Sequence, residues 1–572
     1  MSTLQQGSSL NDLRWIVAGS GDAAAEAALS QGLSLAPFLV SLLCRRGFGC
    51  SEDAHRFLHP RLKLLSDPFL LPNMRAAVQR ILRGVDRNER IVLYGDYDVD
   101  GVTSLALFTR VLRAFGASPD TFLPLRMDEG YGLSRDGVTR CLSTCKPQLL
   151  IAVDCGTCSV EEIALLRQHG VDTLVFDHHE CQGAQPDCVA LVNPKLGDDF
   201  HYLCSVGIVF KACHALLKER PLEDFDLREY LDLVALGTVA DIVPLVRENR
   251  ILVQRGLLQL ARSRWPGVRA LMDAASVKPP LSPGDIGFKL GPRINAAGRL
   301  DSAAEALELL LTDDPARAHE LAARLDTQNR ARQDVEKAIV KQAEEKLLSE
   351  FDCHDHAAIV LGEDGWHPGV LGIAASRIAK ANHRPTIVIG FDESGAGKGS
   401  GRSIDGLSLV KTLGDCAHLL DKFGGHEMAA GLAIQRARFS EFREAFLRCA
   451  RAKLTDEQLQ PRLHLDAELA LAHLDFDFLA HHDLLQPFGM GNPQPVFYAR
   501  RVFANDSRVV GEKHLRLLLR QSGRAHPAIF FNAAQLELPP PPWDVAFQIG
   551  RNEWEGRVSV QLELKALRSA ES

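Results

Sequence analysis

Residues 91–104 read I-V-L-Y-G-D-Y-D-V-D-G-V-T-S. Three carboxylates alternate after the apolar run: Asp96, Asp98 and Asp100. Gly101 then leads into the apolar-periodic stretch Val102–Phe115. This order predicts a strand, a sharp turn and a helix, with the turn at the strand's carboxyl end, where open α/β sheets bind ligands. Three neighbouring acids repel one another unless a cation lies among them, and hard divalent cations prefer oxygen ligands. The stretch therefore predicts a Mg²⁺ or Mn²⁺ site, with an acidic surface turn as the alternative.

The composition is that of a large globular protein. The 572 residues are 46% hydrophobic and 24% charged, which indicates several domains. The net charge of −8 argues only weakly against a polyanion-binding protein, because acidic metal ligands mask local basic patches. Residues 1–15 do not resemble a signal peptide, and no apolar run is long enough for a membrane span. The 13 scattered cysteines fit a reducing cytoplasm. We therefore expect a cytoplasmic protein with no membrane partner.

The sequence pattern changes four times along the chain. In the first domain, strands alternating with helices predict a parallel sheet with covered faces, and short strands with turn signals near the C-terminus predict a small β-barrel or sandwich. The predicted fold class is α/β: two α/β lobes joined by a long helix, plus the C-terminal β-rich region. The predicted segments are an N-terminal helical preamble (1–73), a first α/β domain (74–301), a connecting helix (302–351), a second α/β domain (352–453) and the β-rich region (454–572).

Three further segments of the first α/β domain end in acidic or imidazole groups. The run 149–153 ends in Asp154, the run 173–176 ends in D-H-H, and the helical run 231–239 ends near Asp241. A lone aspartate at such an end is usually a loop cap. Four such ends in one domain can instead converge at one edge of its sheet. Their carboxylates and an imidazole would then hold two metals, which at ~3.5–4 Å apart serve in-line displacement at phosphorus.

Several longer motifs accompany these ends in a fixed order from about residue 70 onward. They are G-D-Y-D-V-D-G (95–101), R-M-D-E-G-Y-G-L (126–133), V-D-C-G (153–156), D-H-H (177–179), V-A-D (239–241), G-P-R-I-N-A-A-G-R (291–299), G-W-H-P-G-V-L-G-I (365–373), S-G-R-S (400–403), F-G-G-H (423–426) and P-F-G-M-G-N-P (487–493). The ordered set resembles the DHH phosphoesterase superfamily, and within it the RecJ family of single-strand-specific 5′-to-3′ DNA exonucleases. Residues 74–301 would then be the DHH catalytic domain, and residues 352–453 the DHH-associated substrate-binding domain. Residues 454–572 would be a nucleic-acid-binding β-barrel of the OB fold, whose start the last motif marks.

The resemblance implies which residues form the catalytic site. The implied metal ligands are Asp98, Asp100, Asp154, His178 and Asp241. Asp96 completes the acidic set, either by ligating through water or by orienting a nucleophile. His179 either supports a ligand from behind or protonates the leaving oxygen. A structural histidine with satisfied hydrogen bonds is the alternative for His179.

A second group of residues is predicted to contact substrate. Glycine backbone at 399–401 can approach phosphate closely, and Arg402 offers a bidentate fork to phosphate oxygens. The alternatives are an ordinary glycine turn, structural salt bridges for the arginines, and a core position for the tryptophan. The predicted set comprises Arg126, Tyr131, Arg293, Asn295, Arg299, Trp366, His367, Ser400, Gly401, Arg402, Gly425 and His426.

The C-terminal region is rich in basic residues interleaved with aromatic ones, which suits a groove that binds single strands by stacking and phosphate contacts. A solvated charged face is the alternative. The basic residues are Arg500, Arg501, Arg508, Lys513, His514, Arg516, Arg520 and Arg524, and the aromatic residues are Phe497, Tyr498 and Phe503.

The resemblance implies an exonuclease that uses two Mn²⁺ or Mg²⁺ ions to release 5′-mononucleotides from single-stranded DNA with a 5′ end, in recombination and DNA repair. It further implies a monomer that works with a single-strand-binding protein and a helicase. Two alternatives stay open. One is another DHH phosphoesterase that acts on oligoribonucleotides or small phosphate esters, and the other is a non-catalytic single-strand-binding scaffold. The intact acidic set argues against the scaffold, whereas the 5′ polarity follows from the resemblance alone.

Overall fold

The computed structural model describes residues 13–19, 21–33, 35–124, 129, 132–181, 183–300, 303–352, 356–554 and 557–570. No helix in these ranges is both long and apolar enough to cross a membrane. The chain divides into two compact units. The first, here called the catalytic unit, comprises His55–Arg330 and Leu484–Gln494. The second comprises Met1–Ala54, Ala331–Asp483 and Pro495–Ser572.

The catalytic unit is built on a sheet of five parallel strands. In spatial order these are Asp120–Phe122, Ile91–Gly95, Leu149–Val153, Asp172–Phe176 and Ala190–Val192. Ile91 and Leu93 point into one apolar cluster, whereas Val92 and Tyr94 point into another. Both faces of the sheet are therefore covered, which explains why its strands read as unbroken apolar runs.

Helices cover the two faces of this sheet. The helix Val99–Ala114, which follows the first strand, is buried along most of its length because its apolar residues pack between the sheet and later helices. The other helices of the unit are Met74–Asp86, Arg135–Thr144, Val160–Gln168, Ser205–Glu219, Leu231–Ala240, Arg247–Leu260, Pro266–Ala274, Pro283–Asp285, Gly291–Leu300, Ala304–Leu311 and the π-helix Ile286–Leu290.

The second unit contains a mixed sheet of five strands. Their spatial order is Lys422–Gly425, Ala429–Gln435, Ala396–Arg402, Thr386–Phe391 and Ile359–Asp364, and only the last two are parallel. The helices around this sheet are Pro368–Asn382, Leu409–Asp415, Phe439–Lys453 and Asp456–Leu459. The 36-residue helix Pro315–Glu350 begins in the catalytic unit and continues into this one.

The second unit also contains a closed five-stranded barrel. Its strands are Phe497–Val510, His514–Gln521, Arg524–Phe530, Trp543–Trp554 and Arg557–Ser569, and pairing of the first with the fourth closes it. Ala467–Glu468 adds a short parallel strand, and the helix Phe476–Asp483 precedes the barrel. The N-terminal strand Arg14–Val17 pairs with Arg462–Leu465, and the helices Ala23–Gly32, Pro37–Arg45 and Ser51–Leu58 follow it.

This architecture confirms the predicted fold class. It also shows three details that the predicted segments do not contain. The N-terminal preamble holds a strand as well as helices, and the division of the chain into units falls between residues 54 and 55. Thr312–Asp314 separates the Ala304–Leu311 helix from the long helix, since a proline follows at position 315. Residues 484–494 pack with the catalytic unit before the chain enters the barrel. The segment boundaries themselves stay a prediction.

Candidate metal centre and substrate-binding residues

The register of the parallel sheet brings three of the predicted strand ends together. Gly95 pairs with Val153, and Val153 pairs with Phe176. The residues that follow these positions, Asp96 and Asp154 among them, therefore emerge at the same carboxyl edge. The turn after the first strand is compact, because a Cβ atom at Gly101 would lie 2.4 Å from the carbonyl oxygen of Asp96.

Two of the aspartates also cap helices. Asp98 Oδ1 accepts hydrogen bonds from the backbone N–H groups of Asp100 (2.9 Å) and Gly101 (3.1 Å) at the start of the Val99–Ala114 helix. The buried Asp100 carboxylate accepts from the N–H groups of Ser205 (2.7 Å) and Val206 (2.8 Å), at the start of the Ser205–Glu219 helix. A helix N-terminus favours negative charge, so both carboxylates are held in place at this edge of the sheet.

His178 shows that the four segments converge. Its Nε2 lies 3.5 Å from Asp154 Oδ1, 3.5 Å from Asp241 Oδ2 and 3.9 Å from Asp100 Oδ2. The donor atoms of Asp96, Asp98 and Asp154 likewise lie within 4.8 Å of one another. All seven residues of the predicted catalytic set therefore lie in or beside one cluster, with His179 grouped with Asp154 and His178.

Several carboxylate oxygens in this cluster lack a hydrogen-bond donor. Both oxygens of Asp96 and Oδ2 of Asp241 are buried and have no donor in good hydrogen-bond geometry among the described residues, although the nearby backbone N–H groups of Tyr97 and Gly132 partly offset the rise in the pKa of Asp96. Buried carboxylates without a donor are costly, and a cation would satisfy them. Carboxylates with one imidazole are also the donor set that Mn²⁺ and Mg²⁺ prefer. The residues present therefore fit the predicted divalent cofactor.

The electrostatics of the cluster agree with this fit. Burial, followed by repulsion from neighbouring carboxylates, raises the pKa values of Asp96, Asp100, Asp154 and Asp241. Burial and the charge of His179 lower the pKa of His178 to about 4. His178 is therefore neutral at physiological pH, as a metal-ligating imidazole must be.

Asp177, the first residue of the D-H-H run, organises the two histidines. It is fully buried, and its Oδ1 accepts from the backbone N–H groups of His178 (2.8 Å) and His179 (3.2 Å). Oδ1 also lies 2.7 Å from His179 Nδ1, and Oδ2 accepts from Thr157 N at 3.0 Å. Burial alone would lower the pKa of His179, but the hydrogen bond to Asp177 and the nearby carboxylates raise it to about 9. His179 is therefore the positively charged member of the pair.

Sequence reasoning did not assign three residues of this neighbourhood. Asp177 was visible in the D-H-H run, but its orienting role was not. Ser205 donates its hydroxyl to Asp154 Oδ1 at 2.9 Å, and the Cys204 thiol lies within 4.8 Å of oxygens of Asp100 and Asp241. Both belong to a segment far from the acidic motifs in sequence, and the only signal available was the helix start at Ser205.

In the second unit, part of the predicted substrate set lies on one row of the mixed sheet. Gly401 pairs with Ala430, which pairs with Gly425 on the next strand. His426 is exposed at the turn of that hairpin, and its N–H donates to Ala429 O at 2.8 Å. The backbones of Gly401 and Gly425 thus lie at the same end of the sheet.

Arg402 has the environment of an anion-binding residue. One of its amino groups donates to Ser400 Oγ at 3.2 Å and to the carbonyl of Gly401 at 2.8 Å. Burial lowers the pKa of its guanidinium, and no carboxylate among the described residues forms an ion pair with it. A partly buried guanidinium without an acidic partner favours a bound anion such as phosphate.

The other predicted binding residues have mainly structural contacts. Arg293 forms an ion pair with Asp326 (2.8 Å), and the Asn295 side chain accepts from Val99 N at 3.2 Å. Trp366 is 5% exposed and donates to Gln342, which favours its core alternative. His367 Nδ1 accepts from Gly369 N at 3.1 Å and caps the Pro368–Asn382 helix. Arg126 and Tyr131 lie outside the described residues, and Arg299 is described only by its backbone.

In the barrel, the predicted aromatic and basic residues do not all lie together on the surface. Phe497 and Tyr498 are buried, whereas Phe503 is 47% exposed. Arg508 and Arg516 are direct neighbours across two strands, and neither forms an ion pair within the described part of the chain. The basic surface is therefore present, but only Phe503 of the three predicted aromatic residues can reach a base.

The fold and the metal site define a DHH-type phosphoesterase, and comparison with known proteins agrees. The model of the DHH family N-terminal domain matches residues 90–238, that of the DHHA1 domain residues 355–452, and that of the RecJ OB domain residues 465–566. The single-stranded-DNA-specific exonuclease RecJ of Dickeya dadantii is 36% identical over 562 residues, which cover 93% of this chain and 96% of that protein. RecJ of Bacillus subtilis is 36% identical over 555 residues, covering 94% and 68%.

A solved structure of the same kind extends the comparison to three dimensions. RecJ from Thermus thermophilus in complex with Mn²⁺ superposes with a TM-score of 0.84 at 33% identity, and the match covers 98% of this chain and 80% of that one. The chain belongs to the RecJ family of single-stranded-DNA-specific exonucleases.

Proposed function

We propose that this protein is a Mn²⁺- or Mg²⁺-dependent exonuclease that removes mononucleotides stepwise from the 5′ end of single-stranded DNA. The observation that carries the proposal is the convergence of Asp96, Asp154, His178 and Asp241 at one sheet edge, with buried oxygens that lack donors. Relatives 36% identical are named single-stranded-DNA-specific exonucleases, and a solved relative is in complex with Mn²⁺ or with Mg²⁺.

The residues proposed to hold two divalent ions are Asp98, Asp100, Asp154, His178 and Asp241. Asp96 joins them, because its two donor-less oxygens favour a direct contact over one through water. When bound, the ions supply electrostatic stabilisation of the phosphoryl group and lower the pKa of a water molecule. Ser205 orients Asp154, and the helix that starts at Ser205 orients Asp100.

We assign His179 the role of a cationic group beside the scissile phosphate. Asp177 binds its Nδ1, so the proton available for transfer is the one on Nε2. With a pKa raised to about 9, His179 is charged at neutral pH and can donate that proton to the leaving oxygen. This supports the proton-donor alternative over a purely structural histidine.

Phosphate contacts rather than base contacts are proposed to hold the strand. Ser400, Gly401, Arg402, Gly425 and His426 offer N–H, hydroxyl and guanidinium donors, which suit phosphate oxygens. The barrel matches the RecJ OB domain, a fold that binds single strands along a basic face. Recognition of the backbone alone explains why no base sequence would be preferred.

The finer features of the proposal rest on family membership. They are the 5′ polarity, the mononucleotide product, roles in recombination and repair, a cytoplasmic location, a monomeric state, and partnership with a single-strand-binding protein and a helicase. Each is open to a direct test.

The deciding experiment is digestion of a single strand labelled at either end, with Mn²⁺ or with EDTA. We expect the 5′ label to be released first, as a mononucleotide, only with Mn²⁺, and an equivalent duplex to be resistant. Asp154→Asn should abolish cleavage, whereas the exposed Asp198→Asn should not. Earlier release of the 3′ label or cleavage in EDTA would refute the proposal. Binding without cleavage would favour the scaffold, and cleavage restricted to short oligoribonucleotides would favour another DHH activity.

A further inference from the structure

The loop that carries Asp241 has an unfavourable backbone conformation. We call residues 241–246 the Asp241 loop. Ile242 has a φ of +61°, in the left-handed region that β-branched residues avoid, and its side chain is 64% exposed. Such a conformation persists only when the surroundings hold it, and it is common next to functional groups. Ile242 itself packs little, so the restraint must come from elsewhere.

The restraint comes from a segment more than 240 residues away in the sequence. Residues 484–494, here called the brace, return to the catalytic unit after the second α/β domain. The backbone N–H of Leu245 donates to Met490 O at 2.7 Å. A Cβ atom at Gly491, whose φ is +70°, would lie 2.9 Å from Pro244 Cβ. A Cβ atom at Gly489 would lie 2.7 Å from Leu245 Cδ1. The brace therefore fits closely against the Asp241 loop.

Buried polar side chains fix the brace in turn. Arg250, 1% exposed, donates from its two amino groups to the carbonyls of Leu484 and Leu485, each at 2.9 Å, and from Nε to Phe57 O at 2.7 Å. Asn492, 2% exposed, donates to the carbonyls of Leu485 (2.9 Å) and Pro487 (2.7 Å).

The Asp241 loop is also held on its other side. Asn249 donates its side-chain N–H to the carbonyl of Pro244 at 3.1 Å. Pro244 therefore lies between Asn249 and Gly491, and its position sets the direction in which the chain leaves Asp241.

We infer that Gly489, Met490 and Gly491 are positioning residues that hold the Asp241 carboxylate where it binds metal. The inference rests on the proposed function, in which Asp241 is a metal ligand. Groups that orient metal ligands typically change metal affinity or activity about 10- to 100-fold when altered.

Gly491→Ala tests the inference, with Gly170→Ala as the matched control. Both glycines lie in the catalytic unit with nearly equal φ values, +70° and +73°, but Gly170 has no atom within 4 Å of the added Cβ. We expect Gly491→Ala to melt at a lower temperature than Gly170→Ala, because only its added Cβ is crowded, so Mn²⁺ binding is compared well below both melting temperatures. Only Gly491→Ala should weaken Mn²⁺ binding, measured by electron paramagnetic resonance of free Mn²⁺, by about 10-fold or more. Its kcat should fall at saturating Mn²⁺ while KM for single-stranded DNA is unchanged. Equal Mn²⁺ affinities for the two variants would overturn the inference.

A second pair of variants tests the contact between Gly489 and Leu245. It decides the inference even if Gly491→Ala does not fold. Gly489 is outside the left-handed region, so Gly489→Ala adds only the contact with Leu245. We expect Gly489→Ala to weaken Mn²⁺ binding, and Leu245→Val in the same chain to restore it by removing the crowded methyl group. If Leu245→Val does not restore Mn²⁺ binding, the inference that this contact positions Asp241 is contradicted. If the unmodified protein binds Mn²⁺ but does not cut DNA, the proposed function is wrong. The comparison of Mn²⁺ affinities between the variants still tests whether the brace positions Asp241.

Discussion

At the scale of single residues, Asp177 orients the two histidines of the D-H-H run and is not one of the proposed metal ligands. Its carboxylate accepts hydrogen bonds from three N–H groups of the two histidines and from one of Thr157, so it holds the turn that carries both histidines. Asp177→Asn removes the charge that keeps the pKa of His179 high. We expect that pKa to fall from about 9 toward 6.5, and activity to drop about 10- to 100-fold.

The measurement for Asp177→Asn is the pH profile of kcat together with the imidazole titration followed by NMR. A raised histidine pKa favours the charged form, so in the parent the acid role is lost only as the pH rises through about 9. In the variant this loss should occur below pH ~7.5. Asp226→Asn, the same change in an exposed turn, is the control. If the alkaline limb of the kcat profile lies at the same pH in Asp177→Asn as in the parent, His179 is not the proton donor.

The crowded carboxylates predict opposite effects of pH on the metal-free and metal-bound protein. The pKa values of Asp100, Asp96 and Asp241 are raised to about 7, 8 and 9 from an unfolded value of about 3.9. Their protonated forms are favoured in the folded state, so their contribution to stability is present below about pH 4 and is lost as the pH rises through 7 to 9. Mn²⁺ requires the ionised forms. We therefore expect saturating Mn²⁺ to raise the melting temperature more at about pH 8.5 than at about pH 6, measured calorimetrically against EDTA. Equal increases in melting temperature at the two pH values would contradict this prediction.

The sequence could predict which acidic residues come together, but not the residues that hold them in place. Asp98, Asp154 and Asp241 each follow a recognisable apolar segment, and parallel strands deliver their ends to one edge. Ser205 acts through a hydrogen bond to Asp154, and Asp177 is itself anchored by Thr157, and both partners are tens of positions away in the sequence. Such contacts depend on packing that no local pattern encodes, which also explains why the structural contacts of Arg293 and Trp366 were open alternatives.

At the scale of elements, the Val99–Ala114 helix depends on the close approach at Gly101. A Cβ atom there would lie 2.4 Å from a backbone oxygen, which cannot move aside as a side chain can. We expect Gly101→Ala to destabilise the fold by about 1–3 kcal/mol, the usual cost of overpacking, and to weaken Mn²⁺ binding by displacing Asp96 and Asp98. Gly116→Ala, near the other end of the helix, has open space around its Cβ and a φ of +87°. It should lose stability but retain Mn²⁺ affinity, and an equal loss of affinity in both variants would contradict the argument.

Element prediction worked where one pattern dominated. The five barrel strands and four of the five parallel strands of the catalytic unit follow from alternating or unbroken apolar runs, whereas the short edge strand Asp120–Phe122 was not predicted. The course of residues 484–494 did not follow, because its glycine- and proline-rich motif carries no periodicity. Its attachment to the catalytic unit depends on Arg250 and Asn492, whose hydrogen bonds go to backbone carbonyls and leave no trace in the sequence.

At the scale of the whole molecule, an acidic protein has to attract a polyanion. The net charge is −8, but the metal site concentrates negative charge where cations offset it. On the barrel, Arg508 faces Arg516 directly across the strands Phe497–Val510 and His514–Gln521. Like charges opposite one another destabilise a sheet, and a phosphate between them removes the penalty. This pair is therefore suited to hold a DNA backbone.

Arg508→Gln combined with Arg516→Gln should weaken binding of a long single strand and flatten its salt dependence. Each lost phosphate contact reduces the slope of log K against log salt concentration by about 0.7, so two lost contacts reduce it by about 1.4. The control is Arg228→Gln with Arg264→Gln, which removes the same charge from arginines that pair with Asp226 and Glu229. Fluorescence anisotropy at several salt concentrations, with EDTA to prevent cleavage, gives both slopes. Equal slopes for the two double variants would mean that net charge alone governs attraction, whereas a change confined to the barrel variant would locate the DNA backbone on this pair of strands.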